Sequence, residues 1–124
     1  MSKTASLKNI VSARSIWIDS LHTKNLNGLL ECYDKENSIF KGTTNKIVTS
    51  SRSDLEIYFE RFLKRNPTVT FTRSNIKFIN CAYFDTGTYV FHFENGNPIY
   101  ANYQFVYKMV GYKPKIISHF SSEI

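Results

Sequence analysis

The run KIISHFSS near the end of the chain invites the first chemical reading, because a histidine stands among serines at Ser118, His119, Ser121 and Ser122. A Ser/His nucleophile needs its hydroxyl exposed on a sharp turn, donors for an oxyanion and an orienting acid. The run has no G-x-S-x-G elbow, and its character is that of a strand. On a strand, His119 and Ser121 share one face while Ser118, Phe120 and Ser122 share the other. Nucleophilic hydrolysis therefore fails on pattern. His119 reads as a pocket-lining or satisfied core histidine, with the serines bonded to neighbouring backbone.

Other chemistries are excluded more quickly. Cys32 and Cys81 stand alone with no CxxC spacing, so zinc lacks ligands. They read as reduced, mostly buried thiols of a cytoplasmic-type compartment. No metal motif, glycine-rich phosphate loop or RNA-binding signature appears, and no cofactor is expected. Lys and Arg total 16 against 10 Asp and Glu, a formal charge of +6, but the cations are scattered. Only RFLKR, residues 61–65, forms a cluster, late in an expected helix where cations suit the dipole. FTRSNIKF and YQFVYKM interleave aromatics with bases, a pattern that fits a half-buried sheet face better than a single-strand nucleic-acid platform. Nucleic acid is thus not an expected partner. No apolar run approaches the ~20 residues of a membrane span, and MSKTASLKNIVSARS lacks the hydrophobic stretch of a signal peptide. A cytoplasmic location follows as an expectation.

The elements that must position these residues are legible from spacing. In residues 5–23, Leu7, Ile10, Val11, Trp17, Ile18 and Leu21 make one apolar helical stripe. Asn25 can cap a short second helix carrying Leu26, Leu29, Leu30 and Tyr33. NSIFKGTTNKIVTS reads as a small hairpin. SDLEIYFERFLKRNP reads as a third helix, with Ser53 and Glu56 as a capping box and Pro67 just past its end. From Thr68 the chain turns to strands: TVTFTRSNIKFIN, AYFDTGTYVFHF, IYANYQFVYKMV and KIISHFSS. Asn95-Gly96 marks a tight hairpin, and Gly87 a bulge or bend. The chain of 124 residues reads as one domain, residues 1–124, of α+β class: helices on one face of a curved, mostly antiparallel sheet. On the third long strand, Ile99, Ala101, Tyr103, Phe105, Tyr107 and Met109 share one face, and neither face is fully polar. One face is expected to meet the helices and the other a partner subunit, making a homodimer or larger homo-oligomer.

Several motifs resemble the nuclear-transport-factor-like, or cystatin-like cone, superfamily. The similarity is strongest to its branch holding the calcium/calmodulin-dependent protein kinase association domain and the polyketide-cyclase-like and SgcJ/EcaC groups. Trp17 followed by NLNGLLECYD resembles that branch's opening helix and its "L..LY..D". LEIYFERFLKRNP resembles "I..YF..FL...P", and GTYVFHF, YANYQFVY and IISHFSS resemble its last strands. Asn102 stands where such relatives often carry Arg, and Phe120 where they carry a second His.

The resemblance implies a cone with an internal pocket, lined by Trp17, Tyr33, Phe59, Tyr89, Asn102, Gln104 and His119. It also implies, for an enzyme, cofactor-independent acid–base chemistry of the isomerase, dehydratase or cyclase kind, with an Asp or His as base and a Tyr as donor. His119, Tyr103 and Asp34 are the foremost candidates, and Asp85, His92, Tyr33 and Tyr89 the others. Asp34 and Asp85 also suit turns. Three roles remain open at this level: a self-associating module binding a small apolar or aromatic ligand, a small acid–base enzyme, and a scaffold whose cone is filled by Phe and Tyr side chains.

Overall fold

A helix of 20 residues, α1 (Lys3–His22), begins the computed structural model, which describes residues 3–124 and, within them, side chains from Leu7 onward. Ile10, Trp17 and Leu21 are buried along one stripe of α1. The Asn25 side chain caps α2 (Leu26–Glu31) by accepting from the Gly28 N–H at 3.0 Å. Gly28 lets α2 lie close to α1, since a Cβ there would lie 2.5 Å from Ser20 Oγ. α2 stops before Tyr33, which bridges in parallel to Ile116 instead.

The expected small hairpin shrinks to β1 (Ile39–Lys41), joined to Thr49 by a single antiparallel bridge at Phe40. β1 spends its hydrogen bonds on the last long strand, with which it runs parallel. α3 (Arg52–Leu63) is capped two residues earlier than expected: Ser51, not Ser53, accepts from the Asp54 N–H at 3.0 Å. That register also puts Asp54 in the first turn, where its charge suits the dipole. Leu55, Phe59, Phe62 and Leu63 form its buried face.

The four long strands are β2 (Thr68–Ile79), β3 (Ala82–His92), β4 (Ile99–Val110) and β5 (Lys113–Glu123). The sheet order is β1-β5-β4-β3-β2, antiparallel throughout except for β1 against β5. The β2–β3 turn uses Asn80 and Cys81, both at positive φ (48° and 64°). A two-residue primed turn needs this geometry. It leaves Cys81 exposed, against the buried thiol expected from composition. The bulge expected at Gly87 lies across from it in β2, between Phe71 and Arg73. Gly87 makes room for it, because a Cβ there would fall 2.0 Å from the Arg73 carbonyl oxygen. α+β class and the curved, mostly antiparallel sheet are as expected, and the core lies between the three helices and the concave face.

Candidate functional site

β5 carries His119 onto the concave face, in register with Phe105 of β4 and Phe40 of β1. The imidazole lies against the Phe105 ring, with centroids 4.1 Å apart and planes within 25°. It is 3% exposed. Both ring nitrogens are engaged: Nδ1 with Tyr33 Oη at 2.8 Å and Nε2 with Tyr89 Oη at 3.1 Å. The Trp17 indole N–H, which can only donate, reaches Tyr33 Oη at 3.1 Å. In the arrangement that also uses Tyr33's own proton, Tyr33 donates to His119 Nδ1, and His119, protonated on Nε2, donates to Tyr89. Tyr89 in turn meets the side chains of Ser121 and Thr43, which bond each other at 2.6 Å. The result is a connected chain of polar contacts from Trp17 through Tyr33, His119 and Tyr89 to Ser121 and Thr43.

Burial governs the ionisation of this chain. It pulls the His119 imidazole down to about 3 and pushes the Tyr33 and Tyr89 hydroxyls well above the usual phenol range. His119 is thus neutral, with no free lone pair to take a proton from a substrate. Tyr58 packs tightly against Gly42, its ring 2.4 Å from where a Gly42 Cβ would sit. The space left beside Thr43, Tyr89, His119 and Ser121 is about 10 Å³, room for at most one water. Among the described residues the interior of the cone is filled where a pocket was expected: Trp17, Tyr33, Phe59 and Tyr89, expected to line it, pack it with their rings. A ligand pocket spans roughly 300–1,000 Å³.

The remaining candidates are dispersed. Asp34 follows α2, where its carboxylate accepts from the Glu36 N–H at 3.1 Å, so it is a turn residue and not a partner of His119. Asn102 and Gln104 fall on the other face of β4 from Phe105 and His119, out of the cone, because a strand alternates. His92 is exposed at the end of β3. Tyr103 faces inward, but its hydroxyl donates to Asp85 Oδ1 at 2.8 Å, not to His119.

Asp85 corrects the turn reading most clearly. It lies within β3, fully buried, and belongs to a second polar cluster. Its Oδ2 pairs with Arg14 Nη1 at 3.1 Å, and its Oδ1 also accepts from Ser74 Oγ at 3.0 Å. The Arg14 guanidinium additionally lies 4.9 Å from the centre of the Phe71 ring. Arg14 escaped the sequence reading although a signal exists, for it sits on the buried stripe of Ile10, Trp17 and Leu21. A cation there announces a buried acid. Asp85 likewise falls in the inward phase of β3 with Tyr83, Tyr89 and Phe91. No group of His, Cys, Asp and Glu among the described residues suits a metal ion. No described helix is long and apolar enough to cross a membrane.

Comparison with known proteins agrees with this architecture. The family model of the calcium/calmodulin dependent protein kinase II association domain matches residues 6–124. A chain from Xanthomonas campestris, described as such an association domain, is 26% identical with a TM-score of 0.85, covering 93% of this chain and 85% of that one. An NTF2-like protein of unknown function from Shewanella oneidensis is 15% identical, with a TM-score of 0.80 and coverage of 94% and 98%. A chain from Streptomyces avermitilis, described as a dehydratase of the NTF2-like family, is 9% identical with a TM-score of 0.84, covering 99% of each chain. At such identities the last two establish the shared fold alone. No curated protein matches the sequence significantly.

Proposed function

We propose, because this chain belongs to the calcium/calmodulin-dependent protein kinase II association domain family, that it is a self-associating module whose copies pair through the convex face of the sheet. The cone behind that face serves as a filled, rigid support. The observation that carries this reading is the composition of the convex face across β3, β4 and β5. It presents Phe84, Val106 and Tyr100 around a centre of Thr86, Thr88, Asn102, Gln104 and Ser122. Lys108 is the single Lys, Arg, Asp or Glu among the convex-face residues of β3 and β4, in a chain that is 21% charged. Depletion of charge at the centre, with aromatics around it, is the signature of an interface core. Tyr100, half exposed at 55% in a single copy, would be covered in the pair.

The acid–base alternative receives no support from the geometry, since His119, Tyr103 and Asp34 engage three different sets of partners. Native mass spectrometry of the purified protein, without denaturant, tests the proposal. A dimer or larger ring is expected, converting to monomer in Gln104→Lys, which would set like charges near a symmetry axis. A wild-type monomer at micromolar concentration overturns it. An assembly retaining an extra small mass would instead revive the ligand-binding reading.

A further inference from the structure

The helical layer carries a second surface, remote from the convex face, with a different chemistry. Between α3 and the loop at residues 44–49 runs a groove of about 550 Å³. Asp54, Ile57, Arg61 and Arg65 form one wall and Lys46 and Ile47 stand on the other. Asp54, Ile57 and Arg61 recur at three- and four-residue spacing and so share one side of α3, with Arg65 just past its end. From Asp54 to Arg61 they run over about two turns, roughly 10 Å.

Two features make this groove more than a dent. Ile47 is 73% exposed and Ile57 46%, so the groove offers apolar surface that the fold itself does not cover. Its charge is also one-sided, with Lys46, Arg61 and Arg65 opposed by Asp54 alone. Among the described residues Lys46 and Arg61 have neither an ion pair nor a hydrogen-bond partner. Arg65 is held in place, its guanidinium 3.9 Å over the Phe93 ring. Uncovered apolar side chains set among unpaired cations call for a partner that brings both apolar anchors and carboxylates.

We propose that this groove docks an acidic peptide segment bearing apolar residues, whose side chains cover Ile47 and Ile57 while its carboxylates meet Lys46, Arg61 and Arg65. A second copy of this chain fits poorly, because at +6 it would bring more cations than anions. Nucleic acid fits less well than peptide, because the exposed apolar residues of the groove are isoleucines, while its rings, Tyr58 and Phe62, are partly and wholly buried and offer bases no open face to stack on. The groove lies on the helical side, so docking there and pairing through the sheet are independent events.

Panning a random-peptide library against the intact protein tests this. The expected result is enrichment of sequences combining Asp or Glu with apolar residues. The synthesised winner should bind on the order of tenfold more weakly to Arg61→Glu, a loss typical of a reversed interfacial charge. Ile47→Ser should weaken it too, and added salt should reduce it. Both substituted side chains are exposed, and circular dichroism checks that the fold survives. Gln104→Lys should leave peptide binding unchanged whatever it does to assembly, which separates this proposal from the preceding one. No enrichment, winners without acids or without apolar residues, or equal binding to Arg61→Glu each overturn it. Displacement of the peptide by a single-stranded oligonucleotide of higher affinity overturns it in favour of nucleic acid.

Discussion

The His119 cluster and the Asp85 cluster occupy the same concave face and are linked by the stacked rings of Tyr89 and Tyr103, 4.8 Å apart. One is neutral and the other ionic. His119 sits where no charge is compensated, and it is neutral there, each nitrogen matched to a tyrosine hydroxyl. Asp85 is as deeply buried but faces Arg14, whose side chain keeps 17% of its surface exposed. The ionic cluster thus stands where its cation still reaches water, and the neutral one where nothing does. Desolvation decides the division. A buried ion survives only with a partner and further hydrogen bonds, whereas a chain of hydroxyl, imidazole and indole groups needs only correct direction.

Breaking the ionic cluster should cost most. Arg14→Met leaves the Asp85 carboxylate buried with only its Ser74 and Tyr103 donors, and should destabilise the fold by about 3–5 kcal/mol in urea titration. Adding Asp85→Asn should recover a large part of that loss, because it is the uncompensated charge that costs. If the single and double variants are equally unstable, the charge contrast between the clusters is wrong.

Breaking the neutral cluster should cost somewhat less. Tyr33→Phe removes the acceptor of the Trp17 indole N–H and the donor to His119 Nδ1, leaving two buried polar groups unmatched. About 2–4 kcal/mol is expected in the same titration. Nitrogen NMR of the wild type should show His119 protonated on Nε2, and the opposite tautomer would reverse the hydrogen-bond direction assigned to this cluster.

Acid should act on the neutral cluster through His119. The folded protein holds its imidazole unprotonated down to about pH 3, while the unfolded chain takes up that proton near pH 6.5. Stability from this group is complete above about pH 6.5 and is lost as pH falls toward 3. The expected loss between pH 7 and pH 5 is on the order of 2 kcal/mol. A thermal midpoint unchanged over that interval would argue against a neutral, sealed histidine.

The smallest effect sharpens the comparison. Tyr107 Oη is buried without a hydrogen-bond partner among the described residues, and burial, followed by the nearby Asp85 charge, pushes its hydroxyl well above the phenol range. Tyr107→Phe should leave stability unchanged or raise it by up to about 1 kcal/mol, since no bond is lost. A clear destabilisation in thermal melts would mean that this hydroxyl is part of the Asp85 cluster after all.

Much of the fold was readable from local pattern. The four long strands, the three helices and the Asn25 cap follow from periodicity, β-branched and aromatic content and the short-range chemistry of caps and turns. Strand phase puts His119, Ser121 and Tyr103 on the inner side, and by the same rule it turns outward Asn102 and Gln104, which were expected to line the pocket. What failed locally was small: Ser51 and Ser53 are nearly equivalent caps, and a three-residue strand such as β1 carries too little pattern to show that its partner is β5.

The sequence by itself determined the class of fold, the order of its elements and which side of each strand is apolar, because those depend on spacing within one segment. Tertiary structure alone decided how the polar side chains are shared out. Tyr33, Tyr89 and Trp17 come to His119, and Arg14 comes to Asp85, across separations of 16 to 86 residues. No local period encodes such meetings. The same is true of the interior space, since whether a cone is a pocket or a packed core depends on how side chains from every element fill it together, and here they leave about 10 Å³.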